Sequence, residues 1–141
     1  AGILERYPRA GLLIVGAGSL EESLRARIAA TPYRDRILLY GDMPHALTLR
    51  ATLESDLLLR TTLYDGDSIA VREALYMGTP VIATDNRMRP EGVHLIPPSD
   101  PARLLDAVCD LLSRRRAPRP PAGDGQENIR AVVHFYEELL G

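Results

Sequence analysis

The sequence predicts a single α/β domain built on a doubly wound parallel sheet. Short runs of apolar residues, typical of strands buried on both faces, alternate with longer segments in which apolar residues recur every three or four positions. Glycine, proline and aspartate separate the two kinds of segment. A chain of 141 residues can bury one core, and this alternation favours right-handed crossovers in which helices join parallel strands.

The first predicted strand covers residues 12–15 and ends at a turn, Gly16-Ala17-Gly18. It contains no polar residue, which predicts a strand covered on both faces. Ser19 is the expected N-cap of the following helix, which Pro32 ends. Three apolar residues of that helix share one face: Leu20, Leu24 and Ile28.

The remaining elements follow the same alternation. Further strands are expected at residues 37–40, 56–60, 81–83 and 93–96. Helices are expected at residues 46–53, at residues 69–77 before Gly78, and from Pro98-Ser99-Asp100-Pro101 through Leu112. Residues 1–113 would form the domain, residues 114–125 a Pro- and Arg-rich linker, and residues 126–141 an amphipathic helix that packs on the domain.

Composition narrows the class of protein. The net charge of −2 does not favour nucleic acid as a partner, and no apolar run approaches the roughly eighteen residues of a membrane span. Cys109 is the only cysteine and fits a small buried hydrophobe, so a reducing, cytoplasmic compartment is expected. The chain opens without Met inside an amphipathic pattern, and we expect it to be a domain of a larger protein.

In open parallel sheets, ligands bind beyond the carboxyl ends of the strands, where the Gly-Ala-Gly-Ser turn would lie. Glycines let backbone N–H groups approach an anion, and the helix after the turn adds partial positive charge. A dinucleotide fingerprint needs a third glycine where Glu21 stands, which disfavours NAD. A tight turn without a ligand remains the alternative.

Residues 64–75 carry the most informative pattern. Ser68 or Asp67 is expected to cap a helix whose free N–H groups can hold a phosphate, while Asp65 and Glu73 supply carboxylates. Glu73 lies among apolar positions of that helix, and an ionised acid there needs a hydrogen-bond partner. The two hydroxyls of a ribose would suit its two oxygens. A solvated or arginine-paired Glu73 is the alternative.

Residues 65–85 resemble the donor-site signature of family-4-type retaining glycosyltransferases, whose two domains form the GT-B fold. The shared features are an acid and Gly, seven residues between two acids, Glu-Ala-Leu, and a Gly-x-Pro-Val-Ile-Ala-Thr strand. The resemblance extends to residues 12–18, to residues 37–41 and to Pro97-Pro98-Ser99-Asp100-Pro101, and so spans most of the chain. It implies the C-terminal, Rossmann-like half of a GT-B fold and a role in carbohydrate biosynthesis.

The resemblance also implies roles for individual positions. Glu73 would bind the ribose hydroxyls, and Asp65, where the family usually has Glu, would contact the donor sugar as the candidate catalytic residue. The other implied donor-binding positions are Gly16, Gly18, Leu39, Tyr40, Gly41, Gly66, Asp67 and Ser68. Two departures bear on the choice of sugar: Asp67-Ser68 replaces an aromatic-Gly pair, and Thr61-Thr62 replaces Pro-Ser.

The same family uses an upstream Arg and Lys to neutralise the departing diphosphate, and both would precede residue 1. Arg60, Arg87 and Arg89 could substitute, but we expect them to be solvated surface residues. We therefore expect these residues alone to bind a donor and to transfer little sugar. The implied partners are a nucleotide sugar and an N-terminal acceptor domain, with peripheral membrane association of the full-length enzyme as a further expectation. No cofactor or metal is expected.

Two other functions remain open. Residues 89–93, Arg-Pro-Glu-Gly-Val, are similar to a loop of nucleotide-sugar 2-epimerases of the same superfold, although those enzymes usually carry a Gly-Gly pair where Ile69-Ala70 stands. A non-catalytic nucleotide-binding module is the second alternative. The three histidines, at positions 45, 94 and 134, lie in different elements without a neighbouring cysteine, which disfavours a zinc site.

Overall fold

The computed structural model describes residues 1–114. It confirms an α/β fold with parallel strands. The helices are α1 (Gly2–Arg6), α2 (Glu21–Ala29), α3 (His45–Glu54), α4 (Ile69–Tyr76) and α5 (Pro101–Ser113), with a short 3₁₀ turn at Arg34–Arg36. The strands are β1 (Leu12–Val15), β2 (Ile37–Gly41), β3 (Leu58–Arg60), β4 (Val81–Thr84) and β5 (His94–Ile96). The predicted linker beyond residue 114 and the predicted terminal helix lie outside the described residues.

The five described strands form two parallel sheets. In the first sheet β1 pairs with β2, with Leu12 beside Ile37 and an irregularity between Ile14 and Val15. The second sheet has the order β3-β4-β5, with Leu58 beside Val81. All described pairings are parallel, as predicted, and they divide the strands between two sheets.

The second sheet is covered on both faces, as a doubly wound arrangement requires. Val81 and Ala83 of β4 pack with Val71 and Ala74 of α4. Ile82 points to the opposite face and packs with Ile96 and with Ala107 and Val108 of α5. Alternate residues of one strand thus serve two layers of helices, which explains why all four residues of β4 are buried.

Helix α1 is fixed against α5. The Tyr7 hydroxyl donates a hydrogen bond of 3.1 Å to the backbone carbonyl of Cys109. A Cβ at Gly2 would lie 2.8 Å from Leu105 Cδ2, so glycine allows the helices this close approach. Cys109 is buried, as predicted for a small hydrophobe.

Strand β1 is less covered than its sequence predicts. Leu12, Leu13 and Val15 are 42%, 37% and 38% exposed, whereas a strand buried on both faces was expected. Among the described strands, β1 pairs only with β2. The apolar composition was interpreted correctly as a strand, but the described part of the chain does not bury it.

The helix starts differ in part from the predicted caps. Helix α2 begins at Glu21 with Leu20 as N-cap, so Ser19 lies one residue too early to cap it. Ser68 occupies the N-cap position of α4, but its side chain makes no capping hydrogen bond. Asp100 does cap α5, accepting a hydrogen bond of 2.9 Å from the backbone N–H of Arg103. Within residues 1–114, no helix combines the length and apolar character needed to cross a membrane.

Candidate functional site

The first two strands end in glycine turns that are bonded to each other. The N–H of Gly16 donates to the carbonyl of Gly41 over 2.8 Å. The φ angles of Gly16 and Gly41 are 128° and 84°, a region in which residues with a Cβ are strained. An open groove of about 330 Å³ lies here, lined by residues 14–21 together with Leu24 and Leu39.

The glycine turn leaves room for a ligand to approach its backbone. A Cβ at Gly16 or at Gly18 would meet no atom within 4 Å. Glu21, which stands where a dinucleotide site needs glycine, forms an ion pair of 2.7 Å with Arg25 one helical turn later. Gly16 and Gly18 line one groove, and Gly41 is hydrogen-bonded to Gly16 beside it.

Asp65, in the loop after β3, has the most perturbed carboxylate of the described residues. Its Oδ2 accepts hydrogen bonds from Arg60 Nε at 2.8 Å, Thr62 Oγ1 at 3.1 Å and Arg89 Nη1 at 3.1 Å. The hydrogen bond from Arg60 is the main cause that holds the pKa of Asp65 well below its usual range, against the effect of burial, and Arg89 and Thr62 add to it. Asp65 is therefore ionised in the folded protein at neutral pH.

The side chain of Arg89 is buried, and the expectation of a solvated Arg89 is wrong. Its side chain is 0% exposed, compared with 38% for Arg60, while Arg87 is exposed. Besides Asp65, the guanidinium donates from Nε to the carbonyl of Thr84 over 3.2 Å. A buried guanidinium needs a counter-charge and several acceptors, and Asp65 together with backbone carbonyls supplies them.

The loop after β4 is packed on the loop after β3. The side-chain amide of Asn86 donates to the carbonyl of Asp65 over 2.6 Å. The backbone of the later loop is itself shaped by two side chains: the N–H of Arg87 donates to Asp85 Oδ1 at 2.8 Å, and the N–H of Met88 to Asn86 Oδ1 at 3.0 Å. The two loops form one connected surface at the carboxyl ends of β3 and β4.

Glu73 lies in the middle of α4 and is held by the first residue of α3. Its Oε1 lies 2.7 Å from Nε2 of His45, the residue that begins α3 after β2 has ended. The Glu73 side chain is 26% exposed, so the setting that the helical pattern predicts as apolar is half-buried. Arg72 does not pair with Glu73; it forms an ion pair with Asp67, and this hydrogen bond raises the pKa of Arg72.

The other predicted positions occupy different environments. Ser68 is buried, and its hydroxyl makes no hydrogen bond with any residue in the described range 1–114. Gly66 has open space around its Cα and accepts a bond of 3.3 Å from Asn86. Tyr40 is exposed on β2, and the Asp67 carboxylate is engaged with Arg72. The geometry leaves each of these roles a prediction.

The sequence does not predict the contacts made by four residues: Thr62, Asn86 and Arg89 of this surface, and His45 beside Glu73. The signal that could have found them is position, because each lies within a few residues of the carboxyl end of β2, β3 or β4. Within residues 1–114, no three His, Cys, Asp or Glu side chains come together as ligands for a metal ion.

Comparison with known proteins identifies the family. Residues 1–114 match the family model described as Glycosyl transferases group 1. The chain is 34% identical over 119 residues to "Phosphatidyl-myo-inositol mannosyltransferase" of Mycobacterium leprae (strain TN), which covers 79% of the chain and 31% of that protein. It is 30% identical over 115 residues to "Amylovoran biosynthesis glycosyltransferase AmsK" of Erwinia amylovora, which covers 74% of the chain and 28% of that protein.

The chain thus spans about a third of the length of the curated relatives that it matches. The family match agrees with the resemblance carried by residues 65–85 and favours a glycosyltransferase over the epimerase that residues 89–93 resemble. With parallel strands, helices on both faces of the second sheet and this match over residues 1–114, the chain belongs to the group 1 glycosyl transferases.

Proposed function

We propose that this chain binds the nucleoside diphosphate sugar in a glycosyltransferase that transfers the sugar to an acceptor with retention of configuration. The observation that carries the proposal is the placement of the Glu73 carboxylate, which is half-buried and bonded to the residue that starts α3. Only Oε1 is used, and Oε2 has no partner among the described residues. A half-buried carboxylate with a free oxygen can accept hydrogen bonds from ribose hydroxyls.

The diphosphate would lie between the glycine turn and the start of α4. The Ser68 carbonyl accepts from the N–H groups of Val71 and Arg72. The Ser68 side chain does not cap α4, so its buried hydroxyl and the N–H groups of Ile69 and Ala70 remain available to an anion. The open space at Gly16 and Gly18 allows phosphate oxygens to approach the backbone. Together these donors would stabilise the charge that develops on the departing diphosphate.

The remaining roles follow from the resemblance. Asp65 would contact hydroxyls of the sugar, Leu39, Tyr40 and Gly41 would lie beside the base, and an N-terminal domain of the same protein would hold the acceptor. The reaction needs no metal or other cofactor in this proposal. The anomeric configuration of the product of the full-length enzyme, read by NMR, tests retention.

Calorimetric titration of the 141-residue chain tests the binding function. UDP, GDP and ADP and the corresponding sugar derivatives are titrated into the wild-type chain and into Glu73→Ala. Binding of at least one nucleoside diphosphate, weakened in the variant, supports the proposal. Absence of binding for every nucleotide, with a cooperative unfolding transition that shows the chain is folded, would contradict it.

A further inference from the structure

The environment of Asp65 divides its two carboxylate oxygens into an occupied one and a free one. Oδ2 receives three hydrogen bonds, from Arg60, Thr62 and Arg89. Oδ1 receives none from any residue between 1 and 114. A carboxylate has about four acceptor sites, so Oδ1 retains its capacity to accept hydrogen bonds from a ligand.

Arg89 is the donor to Oδ2 whose own guanidinium is held by further acceptors. Its guanidinium bonds the carboxylate of Asp65 and the carbonyl of Thr84, with longer contacts of 3.5 Å to the Gly66 carbonyl and the Thr62 hydroxyl. The Thr84 carbonyl belongs to β4, so the guanidinium connects the loop after β3 to the rigid end of a buried strand. A planar guanidinium can hold several acceptors in fixed directions at once, whereas a lysine ammonium acts as a point charge.

Arg89 cannot itself reach a ligand, because its side chain is completely buried. Arg60, the last residue of β3, is 38% exposed and bonds the same oxygen. The cluster of two guanidinium groups and one carboxylate keeps a net positive charge. That charge favours the ionised acid, which can accept a hydrogen bond but cannot donate one.

We propose that Arg89 is a positioning residue for sugar recognition: it holds Asp65 by Oδ2 so that Oδ1 accepts a hydroxyl of the donor sugar. This inference rests on the proposed function and deepens it. The sugar must present a hydroxyl donor toward the carboxyl ends of β3 and β4. Arg89 contributes to the affinity for the sugar part of the donor and not to the affinity for the nucleotide.

The test separates these two parts of the donor by titrating GDP and GDP-mannose, and UDP and UDP-glucose, into the 141-residue chain. The measured quantity is the ratio of the dissociation constant of the nucleoside diphosphate to that of its sugar derivative. In Arg89→Met and Arg89→Lys we expect this ratio to fall about tenfold, the effect of one hydrogen bond to a charged group, with the nucleotide affinity unchanged. Arg87→Met, in the same loop but exposed, should leave the ratio unchanged.

Asp65→Asn distinguishes positioning from a general loss of structure. If Arg89 acts through Asp65, the ratio of dissociation constants should be the same in the double variant Arg89→Met/Asp65→Asn as in Asp65→Asn alone. Should Arg89→Met fail to fold, as judged by circular dichroism, Arg60→Met provides the same test from the exposed side of the cluster, with a smaller fall in the ratio.

The outcomes distinguish the two proposals. A wild-type chain that binds no nucleotide overturns the proposed function and this inference with it. A wild-type chain that binds a sugar derivative more tightly than its nucleoside diphosphate, with the ratio unchanged in Arg89→Met or in Asp65→Asn, overturns the inference alone. Additive losses in the double variant would also overturn it.

Discussion

The imidazole Nε2 of His45 lies 2.7 Å from Oε1 of Glu73, so the first residue of α3 is hydrogen-bonded to the middle of α4. An ionised carboxylate can only accept, and the imidazole N–H is therefore the donor. The bond joins two helices that follow different strands. We infer that His45 directs the proposed ribose-binding acid.

His45→Ala should weaken donor binding slightly and leave the fold intact. The His45 side chain is 70% exposed, so its removal should change the free energy of unfolding by less than about 0.5 kcal/mol. Loss of its hydrogen bond to Glu73 should weaken donor binding by about 0.5–1.5 kcal/mol. Calorimetry of the two proteins measures the binding change, and His94→Ala, an exposed histidine on β5, is the matched control.

Glu73→Ala should weaken binding of the nucleoside diphosphate by about 1–3 kcal/mol, the usual loss for a hydrogen bond to a charged group. The matched control is Glu54→Ala, because Glu54 is an exposed glutamate of α3 whose only described partner is Arg50, one turn away. Equal affinities of Glu73→Ala and wild type for every nucleoside diphosphate would remove Glu73 from the binding site.

Two neighbouring glycines should respond differently to alanine. Gly16 has a φ of 128°, so Gly16→Ala should lower the free energy of unfolding by about 1–3 kcal/mol through backbone strain. Gly18 has no such angle and open space around it, so Gly18→Ala should change it by less than about 0.5 kcal/mol. Urea unfolding, followed by circular dichroism, measures both.

Gly18→Ala also tests the glycine groove. If the backbone here meets the diphosphate, the added methyl group should weaken nucleotide binding although the protein remains as stable as wild type. Binding unchanged from wild type would place the diphosphate elsewhere.

Asp65→Asn should destabilise the protein at neutral pH by about 3 kcal/mol, because the buried Arg89 guanidinium loses its counter-charge. The pKa of Asp65 is held below its value in the unfolded chain, which is about 3.9. Its ionisation therefore contributes fully to stability above about pH 4, and the contribution is lost as the pH falls further toward the folded-state pKa.

The difference in free energy of unfolding between wild type and Asp65→Asn should consequently be largest at pH 7 and smaller at pH 3. Urea titrations at pH 7, 5 and 3 measure it. Asp35→Asn is the control, since the Asp35 side chain is 91% exposed, and it should remain close to wild type at each pH. If the difference in free energy of unfolding grew as the pH fell, the ionised form of Asp65 would not be the one that stabilises the fold.

The order of elements could be predicted from the sequence because each apolar run has a distinct length and period. Strand β4 is the clearest example: Val81, Ile82 and Ala83 predict a strand buried on both faces, and all three are buried. The partition of the strands into two sheets could not be predicted, since composition describes how apolar a strand is and not which neighbour pairs with it. For the same reason, composition could not predict that β1 is partly exposed.

The candidate site was predictable only where chemistry and local sequence coincide. The carboxylates of Asp65 and Glu73 stand out within one short segment, but their partners His45 and Arg89 lie 28 and 24 residues away. An arginine in an irregular loop carries no periodic signal, and a charged residue there is most often exposed. The burial of Arg89 arises from the packing of two loops, which only the folded chain brings together.

One edge of β1 pairs with no described strand, which has a consequence for handling the protein. Its four residues, Leu-Leu-Ile-Val, carry no charge and no proline, and their outer backbone groups pair with no described strand. Strands of this kind recruit further strands from other molecules, so concentrated solutions of the chain should self-associate. Light scattering across a concentration series measures this self-association in the wild type and in Leu13→Arg, which introduces a charge on that strand. The result sets the protein concentration below which binding should be measured.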